Sequence, residues 1–120
     1  MGPSHDINYA TTMRTYLGEF EQLLLFALIQ LDGDAYGAEI RRVIEGKTGR
    51  AVSPGAIYTA LDRLETRRLV SSTLGESTPQ RGGKRKRYYR LEAPGAELLR
   101  RSQEALARMA RGLKPRLDTL

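Results

Sequence analysis

Ser53-Pro54-Gly55-Ala56-Ile57-Tyr58-Thr59-Ala60-Leu61 opens with the clearest helix-start signal in the chain. A serine at the N-cap can accept a hydrogen bond from an amide of the first turn, and a proline just inside the helix forfeits no amide that the helix needs. The apolar residues Ile57, Ala60, Leu61 and Leu64 then recur at helical spacing and predict a helix running to about Arg67. Its outward face is Gly55, Ala56, Tyr58, Thr59, Asp62, Arg63 and Thr66. That N-terminus is thin, made of small residues, and suited to entering a DNA major groove about 12 Å wide.

Upstream, apolar residues at 20, 23, 24, 27, 28 and 31 form the stripe of an amphipathic helix. Further apolar positions at 25, 26 and 29 widen it, which predicts burial on most sides. Asp32-Gly33-Asp34 breaks that helix, and a second is expected from Tyr36 to about Lys47, with Ile40, Val43 and Ile44 inward and Gly46 and Gly49 as stop signals. Residues 8–17 are expected to begin a helical arm carrying Met13 and Leu17. Met1-Gly2-Pro3-Ser4-His5 has the composition of a remnant of tag removal and is set aside, His5 with it.

Downstream, Leu69 to Leu74 and Arg87 to Leu91 read as strands, with Tyr89 and Leu91 on the core face and Tyr88 on the other with Lys86 and Arg90. The polar loop between them is too long for a tight hairpin. From Arg81 to Arg90, six of ten residues are Lys or Arg: Arg81, Lys84, Arg85, Lys86, Arg87 and Arg90. Such a cationic tip, flanked by strands, suits a wing tracking a phosphate backbone or reaching into a minor groove. After Ala93-Pro94-Gly95 a helical segment leads towards the C-terminus. Leu99, Leu106, Leu113 and Leu120 recur there every seven residues, with Leu98, Met109, Ala110 and Leu117 alongside. This is a heptad seam that a small domain has nothing left to cover, so a second subunit is expected to cover it, with Met13 to Leu17 as a further contributor. Pro115 weakens the case that the last turn continues the same helix.

The order helix, helix, capped helix, strand, basic loop, strand is that of a winged helix-turn-helix in a mainly α (α+β) fold. The 120 residues suffice for one such domain and an appended element, divided as 1–18 remnant and arm, 19–92 DNA-binding domain, and 93–120 C-terminal dimerisation helix. The chain carries a net charge of +6, unevenly spread: residues 1–60 hold five basic and seven acidic residues, residues 61–120 fifteen and seven. That asymmetry points to an anionic partner, double-stranded DNA before an acidic membrane surface.

Ser53-Pro54-Gly55-Ala56-Ile57-Tyr58, then Leu61, Leu64 and Leu69, then Arg87-Tyr88-Tyr89-Arg90-Leu91, together resemble a PadR-type transcriptional regulator. Leu23 to Leu31 with Ala35-Tyr36-Gly37 and Ile40 is similar to the first two helices of that family. The resemblance covers about residues 19–99. It implies a bacterial homodimeric repressor, cytoplasmic and nucleoid-associated, with Tyr58 and its neighbours facing DNA and the Arg/Lys tip as the wing. The single short C-terminal helix matches the smaller members. The absence of tryptophan means that a ligand pocket walled by that residue is not implied.

From these signals the DNA-binding residues are expected to be Ser53, Gly55, Ala56, Tyr58, Thr59, Arg63, Arg81, Lys84, Arg85, Lys86 and Tyr88, and the dimer contacts Leu98, Leu99, Leu106, Met109 and Leu113. No metal or cofactor is called for. An effector, if one acts, would act by changing the angle between the two C-terminal helices. Catalysis has little to rest on. Cysteine is absent, His5 is the sole histidine, and the carboxylate pairs Asp62/Glu65 and Asp32/Asp34 read as surface charge and turn chemistry. The remaining alternative is a basic module for RNA or an anionic surface. Readers of single strands need exposed aromatics, and Tyr88 is the one candidate. The longest apolar run, Leu23 to Ile29, is far short of a membrane span.

Overall fold

The computed structural model describes residues 16–76 and 85–120. In chain order they form α1 (Glu19–Leu31), β1 (Ala35–Tyr36), α2 (Gly37–Thr48), α3 (Pro54–Thr66), β2 (Val70–Leu74), β3 (Arg87–Leu91), α4 (Ala93–Ala110) and α5 (Lys114–Thr119). The architecture is a winged helix-turn-helix followed by a C-terminal helix. Of the helical arm expected over residues 8–17, residues 8–15 lie outside the described residues, as do Arg81 and Lys84 of the loop tip, and Tyr16 and Leu17 are not helical.

Three helices start by satisfying an orphan amide at the first turn. Glu21 accepts from the Gly18 N–H at 2.8 Å, Glu39 from the Tyr36 N–H at 3.1 Å, and Ser53 Oγ from the Ala56 N–H at 3.1 Å. The last of these is the cap foreseen in the sequence. Leu24, Leu25 and Leu28 of α1, Ile40 and Ile44 of α2, and Ile57, Leu61 and Leu64 of α3 meet in one core. Val70 and Tyr89 close it from the sheet.

The sheet is antiparallel, in the order β1-β3-β2. Val70 faces Leu91 and Leu74 faces Arg87 across β2 and β3, and Tyr89 is fully buried, as alternation required. Leu91 is half-buried against the core. The element missed by sequence is β1, where a second helix was expected to begin. Ala35 pairs with Tyr89 and Tyr36 with Tyr88, so this short stretch runs extended before α2 starts at Gly37. Two residues are too few to show a period, and what makes them a strand is β3, far along the chain.

The C-terminal segment corrects the seam. Leu98 and Leu99, expected as dimer contacts, are buried in their own domain at 8% and 4% exposure. The first half of α4 lies on the domain because Gly95 permits it: a Cβ there would stand 2.3 Å from the Leu69 carbonyl oxygen and 2.8 Å from Leu91 Cδ1. Farther on, buried Ser102 accepts from the Leu17 N–H at 2.9 Å and donates to the Leu98 carbonyl at 2.8 Å. Gln22 donates to the Leu17 carbonyl at 3.0 Å and accepts from Gln103 at 2.6 Å. Leu17, offered above as an interface residue, therefore belongs to the core. The boundary expected at 92/93 crosses a packed interface.

The heptad does not run along one helix either. Gly112 adopts a left-handed conformation, with φ 75°, and separates α4 from α5. Pro115 sits in the first turn of α5, where its missing amide costs nothing.

The tight approach at Gly95 yields the first expected result. Gly95→Ala should lower stability by about 1–3 kcal/mol, because backbone rather than a flexible side chain must yield. Denaturant midpoints with an unchanged slope would report it, and a variant as stable as the parent would show that α4 is not held at this contact.

Candidate nucleic-acid interface

The turn between α2 and α3 is fixed by side chains. Glu45 accepts from the Val52 N–H at 3.0 Å and from Arg41 Nε at 3.3 Å, while Arg41 Nε donates to the Val52 carbonyl at 2.8 Å. The Val52 amide holds the Glu45 carboxyl below its ordinary range, with Arg41 adding to the effect. A pinned turn sets the angle at which α3 leaves the domain.

On α3 the structure exposes Ser53, Gly55, Ala56, Tyr58, Thr59, Asp62, Arg63 and Thr66 and buries Ile57, Leu61 and Leu64. The outward face is therefore the one the periodicity assigned. Gly55 has open space around the position of a Cβ. Tyr58 leans back onto the start of α2: a Cβ at Gly37 would lie 2.6 Å from its ring and its hydroxyl oxygen. The phenol is nonetheless 43% exposed, so it spans the seam between the two helices and still faces solvent.

Beside Gly37, Tyr36 gathers charge from two elements. Arg42 Nη2 donates to its hydroxyl at 3.3 Å, and Lys86 Nζ lies over its ring, 3.6 Å from the centroid. The Arg42 hydrogen bond, then the Lys86 ammonium, hold the Tyr36 hydroxyl below the ordinary tyrosine range. Tyr88, expected to face a ligand, is half-buried and stands edge-on to Tyr36 with ring centroids 5.8 Å apart. It also rests against Gly75, where a Cβ would meet its ring at 2.6 Å. Tyr88 thus braces Tyr36 instead of standing free. Arg85 is exposed and donates to the Gly75 carbonyl at 2.9 Å.

The acidic residues have structural occupations. Glu65 accepts from Ser72 Oγ at 2.6 Å and Asp34 pairs with Arg90 at 2.9 Å, while the Asp62 side chain is exposed on the outer face of α3. No group of three or more metal-ligating side chains occurs among the described residues, and none of their helices is long and apolar enough to cross a membrane.

A small-residue helix face, a braced turn behind it and a cationic strand pair beside it have a counterpart in known proteins: residues 24–101 match the sequence model of the Transcriptional regulator PadR-like family. The chain belongs to that family. Its fold is shared by a PadR family transcription regulator from Clostridium difficile R20291, 26% identical, with a TM-score of 0.64 over 83% of this chain and 99% of that one. A transcriptional regulator from Clostridium thermocellum is 27% identical, with a TM-score of 0.66 over 88% and 96% of the two chains. An uncharacterized 37.1 kDa protein in transposon TN4556 of Streptomyces fradiae is 36% identical over 98 residues, which are 82% of this chain and 25% of that protein. The chain thus spans about a quarter of that relative.

Within this PadR-like chain, the structure brings Tyr58 against Gly37 and Lys86 over Tyr36 at the start of α2. Sequence reasoning missed Tyr36 and Arg42 there. Arg42 read as one more outward charge of an amphipathic helix, and only the pairing of β1 with β3 delivers Tyr36 to Lys86.

Proposed function

We propose that this PadR-like regulator is a homodimeric repressor that binds a pseudo-palindromic DNA site and blocks transcription by occupying a promoter in the bacterial cytoplasm. The observation that carries the reading is the exposed N-terminal face of α3, where Gly55 and Ala56 leave room for close approach and Thr59 and Arg63 stand outward. Thr59 and Arg63 read base edges, and the Tyr58 hydroxyl positions the helix on a phosphate. The α3 N-terminus adds its amides and dipole, with Ser53 closing the first turn. The wing, with Arg81, Lys84, Arg85 and Lys86, follows the backbone. Leu106, Met109 and Leu113, all exposed in the single chain, form the contact with the second subunit.

Footprinting on duplexes selected from a random-sequence pool tests the proposal. Two half-sites about 34 Å apart, one helical turn, are the expected pattern. A single asymmetric half-site protected by a monomer would overturn it. Replacing Arg81, Lys84 or Arg85 by Ala should weaken all duplexes about equally and reduce the salt slope by about one per lost contact per subunit. An unchanged slope in all three variants would remove the wing from the interface.

A further inference from the structure

We propose that Tyr36, Arg42 and Lys86 form a preassembled site for one DNA backbone phosphate, joining α2 to the base of the wing. The inference rests on the duplex-binding reading above and adds to it two residues that no sequence signal pointed out.

Three arginines of the surrounding elements are committed to acids. Arg41 pairs with Glu45, Arg50 with Glu19 and Arg90 with Asp34. Arg42 and Lys86 have no carboxylate partner among the described residues and converge instead on a neutral phenol. Like charges on two separate elements are held close by one aromatic ring, an arrangement that an anion between them would relieve. The hydroxyl of Tyr36 accepts from Arg42, and among the described residues nothing accepts its own proton. A phosphate oxygen can take that proton while both cations supply charge-assisted hydrogen bonds. The nearest acid, Glu39, is occupied by the Tyr36 backbone amide at 3.1 Å.

Position supports the same reading. Tyr36 precedes Gly37, which carries the Tyr58 ring, so the cluster adjoins the outward face of α3. Tyr88 supports the Tyr36 ring edge-on, and backbone pairing of Tyr36 with Tyr88 fixes the height of the wing base relative to α2. Held this way, the Lys86 ammonium loses less freedom on binding than a cation on an unbraced loop, and the phosphate it meets is set in register with α3.

The full chain serves for the test, with a duplex obtained by selection from a random pool. Arg42→Ala and Lys86→Ala should each lower the salt slope by about one per subunit, while Tyr36→Phe, which removes no charge, should keep the slope and weaken binding about tenfold. Circular dichroism melts check that each variant folds. A scan of neutral methylphosphonate linkages should find one position per half-site that weakens the parent protein but not the Arg42→Ala/Lys86→Ala double variant. If the parent binds duplex DNA and footprints as expected, yet no linkage shows this pattern and the Arg42→Ala slope is unchanged, the phosphate site is wrong and the duplex-binding reading stands. If the parent shows no binding to duplex DNA, both fall together.

Discussion

Gly55→Trp is expected to abolish specific duplex binding while leaving the protein folded and its assembly unchanged. Gly55 lies at the exposed start of α3, and a Cβ built there meets nothing within 4 Å. An indole at that position therefore displaces no protein atom, and tryptophan is a better helix former than glycine. The same open space is the clearance that the proposal assigns to the floor of a major groove. A bulky ring would hold α3 away from the base edges, and readout falls steeply when the base contacts of Thr59 and Arg63 are lost, by about 1–3 kcal/mol for a good bidentate contact such as Arg63 can make. Wing and backbone contacts would survive, so weak, strongly salt-dependent binding without sequence preference should remain at low salt. Competition between selected and scrambled duplexes measures the difference. Retained preference for the selected duplex would show that α3 does not carry the readout.

What could be read in advance follows from how locally each signal is encoded. The start of α3 was legible because Ser53 and Pro54 act on amides within the same turn, and its faces because four apolar residues share one period. Tyr89 fell to the core and Tyr88 away from it for the same reason, two-residue alternation in β3. The misreadings concern contacts between distant parts of the chain. Tyr36 is a strand residue only because Tyr88 lies opposite, and Lys86 reaches its ring only once that pairing exists. Leu99 matches the seven-residue spacing of Leu106, but Gly95 lets the start of α4 settle against Leu69 and Leu91, which commits Leu99 to the core. The spacing counts residues and is blind to the break at Gly112, which separates Leu113, Leu117 and Leu120 from the helix that carries Leu99 and Leu106.

That redistribution sharpens the second large effect, Leu106→Asp. In the single chain Leu106 is 58% exposed on the half of α4 that extends beyond Ser102, so an aspartate there meets water and leaves the domain intact. Met109, Leu113, Leu117 and Leu120 are exposed with it. These are more large apolar side chains than one short segment ordinarily leaves in solvent, and a second copy of the chain is the cover that the proposed function supplies. In such a dimer the substitution places a carboxylate from each subunit in an apolar contact across the two-fold axis. The cost is several kcal/mol, about what a buried unpaired charge demands. Light scattering should therefore report a monomer, and far-ultraviolet circular dichroism an unchanged helix content. Leu99→Asp makes the contrasting control, since its side chain lies in the subunit's own core and the fold itself should fail. Binding should respond as symmetry dictates: two linked half-sites bind far more tightly than one, so the Leu106→Asp monomer should protect a half-site only at much higher concentration. A Leu106→Asp protein that stays dimeric with undiminished affinity would place the subunit contact elsewhere and leave this apolar segment to another partner.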